Sequence, residues 1–346
     1  MTVPRLLRPC LTVLLAAAAA GLATAPVRAE EAAVAPPREP TAEQSVREPP
    51  WIAAVRRASD ALRWSDERIA HDWRLQHRPG SDACRILDPE ERVVREGSRE
   101  ECSAAFATLV REGRVPAVAG PTVIVLHGLG EGRWSMRPLV GHLRRELDAT
   151  ILSFGYASTG AGLDAHGRAL ADVIRQLPDA DHVSFVGHSM GNLVVRRWLS
   201  LAPAEDVARM RRMVMLGPPN QGSELARMVG RIGVLASLAS GAGRELVLEW
   251  RTISAQLAVP PCPFGIVAGG MGDDQGFSSL LPGDDDAVVR VAETHLPGAS
   301  DFLLLPVRHA AMMRHPEVQR ATASFLETGG FPAPRAPAAP PAPDAP

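Results

Sequence analysis

Gly187-His188-Ser189-Met190-Gly191 sets a serine between two glycines, directly after the apolar run His182–Val186 and directly before the helix-like stretch Asn192–Leu201. A serine at a strand-to-helix turn is lifted off the sheet edge by strained backbone angles, and the flanking glycines let neighbouring chain pass close enough to form the turn. Such a hydroxyl is placed to attack a carbonyl carbon. Attack creates a negative oxygen, and losing one hydrogen-bond donor aimed at that oxygen costs roughly 3 kcal/mol. Two backbone amides are candidates. Met190 opens the following helix, where unpaired N–H groups and the helix dipole favour an anion, and Leu129 lies in the turn His127-Gly128-Leu129-Gly130. Taken alone, this second motif also suits a phosphate-cradling loop, but it lacks the Lys-Ser/Thr ending of one.

A hydroxyl nucleophile needs a base to take its proton and a carboxylate to orient the base. Among ten histidines, His309 follows the run Asp301–Leu305 and precedes a helix starting near Pro316. His315 is the nearest rival, yet its place before Pro316 suits a helix cap. His188 reads as support for the serine turn, with His127, Gly128, Gly187 and Gly191 as the framework of the two motifs. The acid is expected in Gly283-Asp284-Asp285-Asp286-Ala287-Val288-Val289, with Asp286 as the choice and Asp273 and Asp274 as alternates. Three consecutive carboxylates also suit a solvated turn or a calcium site, although no regular ligand spacing accompanies them. The chemistry requires no metal and no cofactor.

The elements that must position these groups follow from patterning. From Pro121, short aliphatic runs alternate with amphipathic stretches, the mark of a mostly parallel sheet with helices on both faces. The expected strands are Thr122–Leu126, Thr150–Phe154, His182–Val186, Met213–Leu216, Phe264–Ala268 and Asp301–Leu305, and the expected helices span about 136–147, 163–177, 190–202 and 316–327. Residues 223–259 form an insertion. Its apolar positions Leu225, Met228, Val229, Ile232, Leu235, Leu238, Leu246 and Leu248 suit ordinary core packing, or a lid lining an acyl pocket.

Residues 51–119 read as a small α+β lead-in. Ile52, Val55, Leu62 and Ile69 recur at helix-like intervals over Trp51–Trp73, two short strands flank a turn within 85–94, and a helix begins near Ser98. Cys84 and Cys102 flank the hairpin. In an oxidising compartment they are expected to form a disulfide contributing about 3 kcal/mol, leaving Cys262 unpaired.

Hydrophobic residues at 46% and charged residues at 22% exclude a fully disordered chain, a coiled coil and a polytopic membrane protein. A net charge of −2 argues against a nucleic-acid binder. In residues 1–29, Arg5 and Arg8 precede an uncharged Leu- and Ala-rich run, and Val27-Arg28-Ala29 supplies small residues at a cleavage position, so export is expected. The strongly apolar part is shorter than the roughly 20 residues a bilayer span needs, which makes a retained anchor the lesser alternative. Cys10 precedes the apolar run, against a lipoprotein. Residues 30–50 and the Pro- and Ala-rich 331–346 are expected to be solvated tethers around one domain spanning 120–330.

Over roughly residues 120–327 the chain resembles the α/β-hydrolase fold lipases and esterases. The resemblance rests on His127-Gly128-Leu129-Gly130, Gly187-His188-Ser189-Met190-Gly191, Pro218-Pro219-Asn220-Gln221-Gly222-Ser223, Asp286-Ala-Val-Val and His309, in the order Ser, Asp, His. The stretch from Pro218 looks like the corresponding loop of bacterial triacylglycerol lipases and of related hydrolases acting on lipid-linked acyl groups. The resemblance implies Ser189 as nucleophile, His309 as base, Asp286 as its orienter, Leu129 and Met190 as oxyanion donors, an ester or lipid substrate, and peripheral contact with a lipid interface. It names no protein partner and has no counterpart for residues 51–119. The same constellation serves acyl transfer and thioester or amide cleavage. A cell-envelope binding protein with an inactive site is the reading from a different class.

Overall fold

The computed structural model describes residues 62–231 and 241–333. The leader, the linker, residues 51–61 and the tail beyond residue 333 lie outside them. The described part opens on four antiparallel strands in the order β1 (Ser65–Ala70), β2 (Trp73–His77), β3 (Ala83–Leu87) and β4 (Val93–Ser98). Helix α1 (Arg99–Arg111) follows, capped reciprocally by Ser98, which accepts from the Glu101 amide, and by the Glu101 carboxylate, which accepts from the Ser98 amide.

This sheet corrects the expected helix over Trp51–Trp73, whose described part is strand. Apolar spacing misleads here because the inward face is half polar. β1 buries Ser65 and Asp66 beside Ile69, and β2 buries Arg74 and Gln76 beside Leu75. Cys84 and Cys102 stand as separate buried thiols where their spacing predicts a disulfide. The Cys84 Sγ donates to the Gln76 carbonyl at 2.9 Å, and burial pushes the thiol up to about 12.

The second sheet has six strands: β5 (Pro121–Leu126), β6 (Thr150–Phe154), β7 (His182–His188), β8 (Met210–Leu216), β9 (Phe264–Gly269) and β10 (Asp301–Leu305). They lie in the order β10-β9-β8-β7-β5-β6 with every pairing parallel. Because strand side chains alternate, each strand feeds two cores. Ile124, Leu126, Leu152 and Phe185 join one apolar cluster, and Val123, Val125, Ile151 and Val186 join the other. Helices α3 (Leu163–Arg175) and α4 (Met190–Leu201) cover the first face, through Leu170, Val173, Leu193 and Trp198. Helix α2 (Arg133–Glu146) covers the second through Met136 and Leu139, joined by α10 (Pro316–Thr328) through Val318 and Phe325. Between them, α5 (Ala204–Ala208) leads into β8, α6 (Glu224–Arg231), α7 (Gly241–Leu248) and α8 (Trp250–Ser254) fill the insertion, and α9 (Val291–Thr294) precedes β10.

The chain runs outward from β5 to β6 and then returns to place β7 on the opposite side of β5. The helices that follow β5 and β7, α2 and α4, therefore lie on opposite faces of the sheet, and the direction of winding reverses between these two strands. Register pairs Leu126 with Gly187, and His188 with Leu216, so residues 128, 189 and 217 follow their strands at one level.

The lead-in sheet is fastened to this edge by buried polar groups. Asp66 accepts from the Arg74 guanidinium at 2.7 Å, the Gln76 amide at 2.7 Å and the Gly155 backbone at 2.6 Å, while Arg74 also donates to the Ser153 carbonyl at 2.6 Å. Burial pulls Arg74 down to about 10, which leaves it charged at neutral pH. Removing one member of a fully buried ion pair strands the other charge, at a cost of about 3–5 kcal/mol. Arg74→Ala should therefore lower the unfolding free energy by about that amount in urea titration; a loss below about 1 kcal/mol would show that the pair does not anchor the lead-in.

Candidate active site

Ser189 closes β7 and caps α4 with φ 50° and ψ −123°, a conformation that side chains other than glycine seldom adopt. Its amide donates to the Leu216 carbonyl at 2.9 Å, and its carbonyl accepts from the Asn192 side-chain amide at 2.9 Å. The two motif glycines are dictated by close approach. A methyl group on Gly187 would lie 2.4 Å from the Asn192 Oδ1, and one on Gly191 2.7 Å from the His127 carbonyl oxygen. The second contact presses the start of α4 against the loop leaving β5. That loop in turn reaches the serine, since a methyl on Gly128 would lie 3.2 Å from the Ser189 Cβ. Ser189 is partly exposed between the fully buried His188 and Met190.

His309 and Asp286 are brought together. The His309 Nδ1 lies 2.6 Å from the Asp286 Oδ2, and the His309 amide donates to the Asp286 carbonyl at 2.8 Å. The other oxygen of Asp286 accepts the amides of Val288 at 3.0 Å and Val289 at 2.7 Å, so the carboxylate cannot turn freely. Its neighbours are engaged elsewhere. Asp284 accepts from Met271 and Gly272, Asp285 from Ser278 and Ala287, and Asp273 from Gln275 and Gly276. His315 stands at the N-cap of α10. The His309 ring packs on the His188 ring with centroids 4.6 Å apart. Gly217, at φ 51°, passes so close that a methyl there would lie 3.0 Å from the His309 Nδ1 and 3.1 Å from the Asp286 Oδ2. His309 thus packs on His188, the chain neighbour of Ser189, and no direct hydrogen bond joins Ser189 and His309 among the described residues.

A family model described as the alpha/beta hydrolase fold matches residues 121–235, from β5 past β8 into the insertion. With the six parallel strands and this strand order, the assignment is decided. The chain has an α/β-hydrolase fold. Comparison with curated protein sequences gives no match. Similar solved structures include the mature lipase BlEst2 of Bacillus licheniformis, at 18% identity over 62% of this chain and 93% of that one, with a TM-score of 0.47. Phospholipase PlaB from Legionella pneumophila is similar at 22% identity over 51% of this chain and 46% of its own, with a TM-score of 0.40. A metagenomic carboxyl esterase, MGS0156, gives 19% over 57% and 67%, with a TM-score of 0.41.

Within this hydrolase fold the expected oxyanion amides border Ser189, Met190 as its chain neighbour and Leu129 on the loop that Gly128 presses against it. Neither amide donates to a carbonyl or side chain among the described residues. His127 is fully buried, stacked on Tyr156 at 4.2 Å, and accepts the Tyr156 hydroxyl through its carbonyl at 2.5 Å. Burial pulls its imidazole down to about 4, so it is neutral and serves as framework. Residues 153–157, which receive the lead-in sheet, carry this tyrosine, and β1 and β2 therefore bear on the site through it.

Three residues absent from the sequence expectations belong to the site's frame: Asn192, Gly217 and Glu131. Glu131 accepts from the Gly128 amide at 3.1 Å and lies 3.2 Å from the His188 Nδ1. The stretch from Pro218 acts as a strut. Arg196 of α4 donates to the Asn220 Oδ1 at 2.9 Å, and the Asn220 Nδ2 donates to the Thr294 carbonyl at 2.8 Å, which ties the serine helix to the segment after Asp286.

Burial pushes the His309 imidazole down, but the Asp286 carboxylate against its Nδ1, and then the more distant charge of Glu131, push it up further, for a net rise above the ordinary 6.5. The ring should therefore titrate by NMR with a midpoint above 6.5, and Asp286→Asn should lower that midpoint. A wild-type midpoint below 6.5, or one unmoved by the substitution, would contradict this electrostatic coupling.

Proposed function

We propose that the protein is an exported serine hydrolase of carboxylic esters. The observation that carries this reading is the 2.6 Å contact of His309 with Asp286, set beside a serine whose backbone is held at positive φ. The Asp286 carboxylate accepts a hydrogen bond from the Nδ1–H of His309, which keeps the proton on Nδ1 and leaves Nε2 with a lone pair on the side away from the acid. His309 takes the Ser189 proton as Oγ attacks the ester carbonyl carbon. The carbonyl electrons move to oxygen, which the Leu129 and Met190 amides receive. When the tetrahedral intermediate collapses, His309 gives the proton to the leaving alcohol and the acyl group stays on Ser189. Water then repeats the sequence, releasing the acid and restoring the serine.

The insertion supports an acyl-binding role. The Ala242 amide donates to the Ala161 carbonyl at 2.7 Å, and a methyl on Gly243 would lie 3.6 Å from both δ-carbons of Leu129. Helix α7 therefore rests on the side chain whose amide is proposed to hold the oxyanion. Peripheral contact with a lipid surface is favoured by exposed Trp134, Met271 and Leu280, which lie on segments following β5 and β9.

Ester turnover tests the reading. With p-nitrophenyl esters from acetyl to palmitoyl, Ser189→Ala should reduce kcat by on the order of 10⁴-fold or more without lowering the melting temperature. Full turnover by Ser189→Ala would overturn the proposal. Product analysis with glycerol present separates hydrolysis from acyl transfer, and free acid is the product this reading expects.

A further inference from the structure

Glu131 is a carboxylate that the reaction as written does not use, yet it lies at the centre of the site's frame. One oxygen, Oε2, accepts the Gly128 amide at 3.1 Å and the Ser135 hydroxyl at 2.8 Å, and sits 3.2 Å from the His188 Nδ1. Its own backbone carbonyl accepts the Ser158 hydroxyl at 3.2 Å, which fastens the loop to the segment after β6. The carboxylate reaches the two sides of the serine by different routes. Gly128 precedes Leu129 in the oxyanion loop and borders the Ser189 Cβ, whereas His188 precedes Ser189 and packs on the His309 ring. The contact with Glu131 is the polar anchor of the His188 ring, because the His188 Nε2 is buried with no partner among the described residues.

We propose that Glu131 is a positioning residue for ester hydrolysis: one carboxylate oxygen holds the Gly128 amide and the His188 ring together, so that the Leu129 amide and the His309 imidazole keep their places about Ser189. Engaging Gly128 matters for the choice of donor. With that amide turned to Glu131, the next N–H along the loop is left for the substrate oxygen. This inference rests on the serine-hydrolase reading.

The charge has a second effect. Burial opposes ionisation of Glu131, but the His188 imidazole, the Gly128 amide and the Ser135 hydroxyl outweigh it and hold the carboxyl well below the usual range. Glu131 faces His188 from β7, His127 from the end of β5 and Tyr156 from the loop after β6. His309 faces Asp286 and His188 and lies within range of Glu131. A negative charge there favours the imidazolium, so removing it lowers the pH at which His309 becomes a free base.

The test compares kcat, KM and the pH profile of kcat/KM for wild type, Glu131→Ala and Glu131→Gln on p-nitrophenyl butyrate, with fluorophosphonate labelling and thermal melting alongside. In Glu131→Ala the loop and ring lose their shared acceptor, and kcat should fall on the order of 10- to 100-fold with KM within about twofold. Glu131→Gln keeps an acceptor for Gly128 but no charge. It should recover most of the rate lost in Glu131→Ala and move the acid limb to lower pH. If Glu131→Ala fails to fold, the pH profile of Glu131→Gln decides. A Glu131→Ala kcat within about twofold of wild type, or an acid limb unmoved in Glu131→Gln, would overturn the proposal. A wild-type chain that neither turns over the ester nor takes the fluorophosphonate would sink the parent reading and this one with it. A labelled wild type beside an indifferent Glu131→Ala would sink this one alone.

Discussion

The backbone of Ser189 is held at φ 50° and ψ −123°, a conformation costing on the order of 1–3 kcal/mol that persists only where its surroundings over-determine it. The surroundings are specific. The Ser189 amide is tied to β8 through Leu216, its carbonyl is held by Asn192, and the absence of a side chain at Gly191 lets α4 press on the carbonyls of Leu126 and His127. The strain is distributed over three strands of a parallel sheet whose two cores are already packed. Relaxing it would mean parting α4 from β5, so the serine stays raised at the sheet edge.

Two buried carboxylates and one half-buried organise the rest. Asp66, Glu131 and Asp286 each take several donors and each joins segments distant in sequence: the lead-in sheet to residues 153–155, the loop after β5 to β7, and the loop after β9 to His309. A buried charge satisfied on all sides fixes geometry, because every misplacement leaves a donor or an acceptor without a partner. Asp66 acts on the site at one remove. It secures the Gly155 backbone, beside the tyrosine that stacks on His127, and His127 begins the loop that borders Ser189.

Legibility in the sequence followed the chemistry of the buried faces. The six parallel strands were readable because both of their faces are apolar, and Thr150–Phe154 and Asp301–Leu305 coincide with their expected bounds. Of the residues proposed from the sequence for the site, Asp286 and His309 stand 2.6 Å apart and Ser189 ends β7 at positive φ. Within the lead-in the hairpin and the helix after Ser98 match the sequence pattern, whereas the stretch ending at Trp73 is strand in its described part because β1 and β2 bury Asp66, Arg74 and Gln76, residues that an apolar count assigns to solvent. Glu131 escaped notice for a related reason. An acid in a short loop ordinarily faces water, and only the folded chain shows its oxygen collecting an amide, a hydroxyl and an imidazole. Gly217 carries no signal beyond being a glycine after a strand, and its close approach to His309 arises from the parallel register of β8 with β7.

The central claim is that Ser189 carries the acyl group between two half-reactions. Its most direct test is rapid quenching of the protein with an activated ester, followed by peptide mass spectrometry. The account predicts an acyl adduct on the peptide containing Ser189, formed within the first turnover and absent when His309 is replaced by alanine. Ester turnover with no adduct at Ser189, or with the adduct on another side chain, would contradict it.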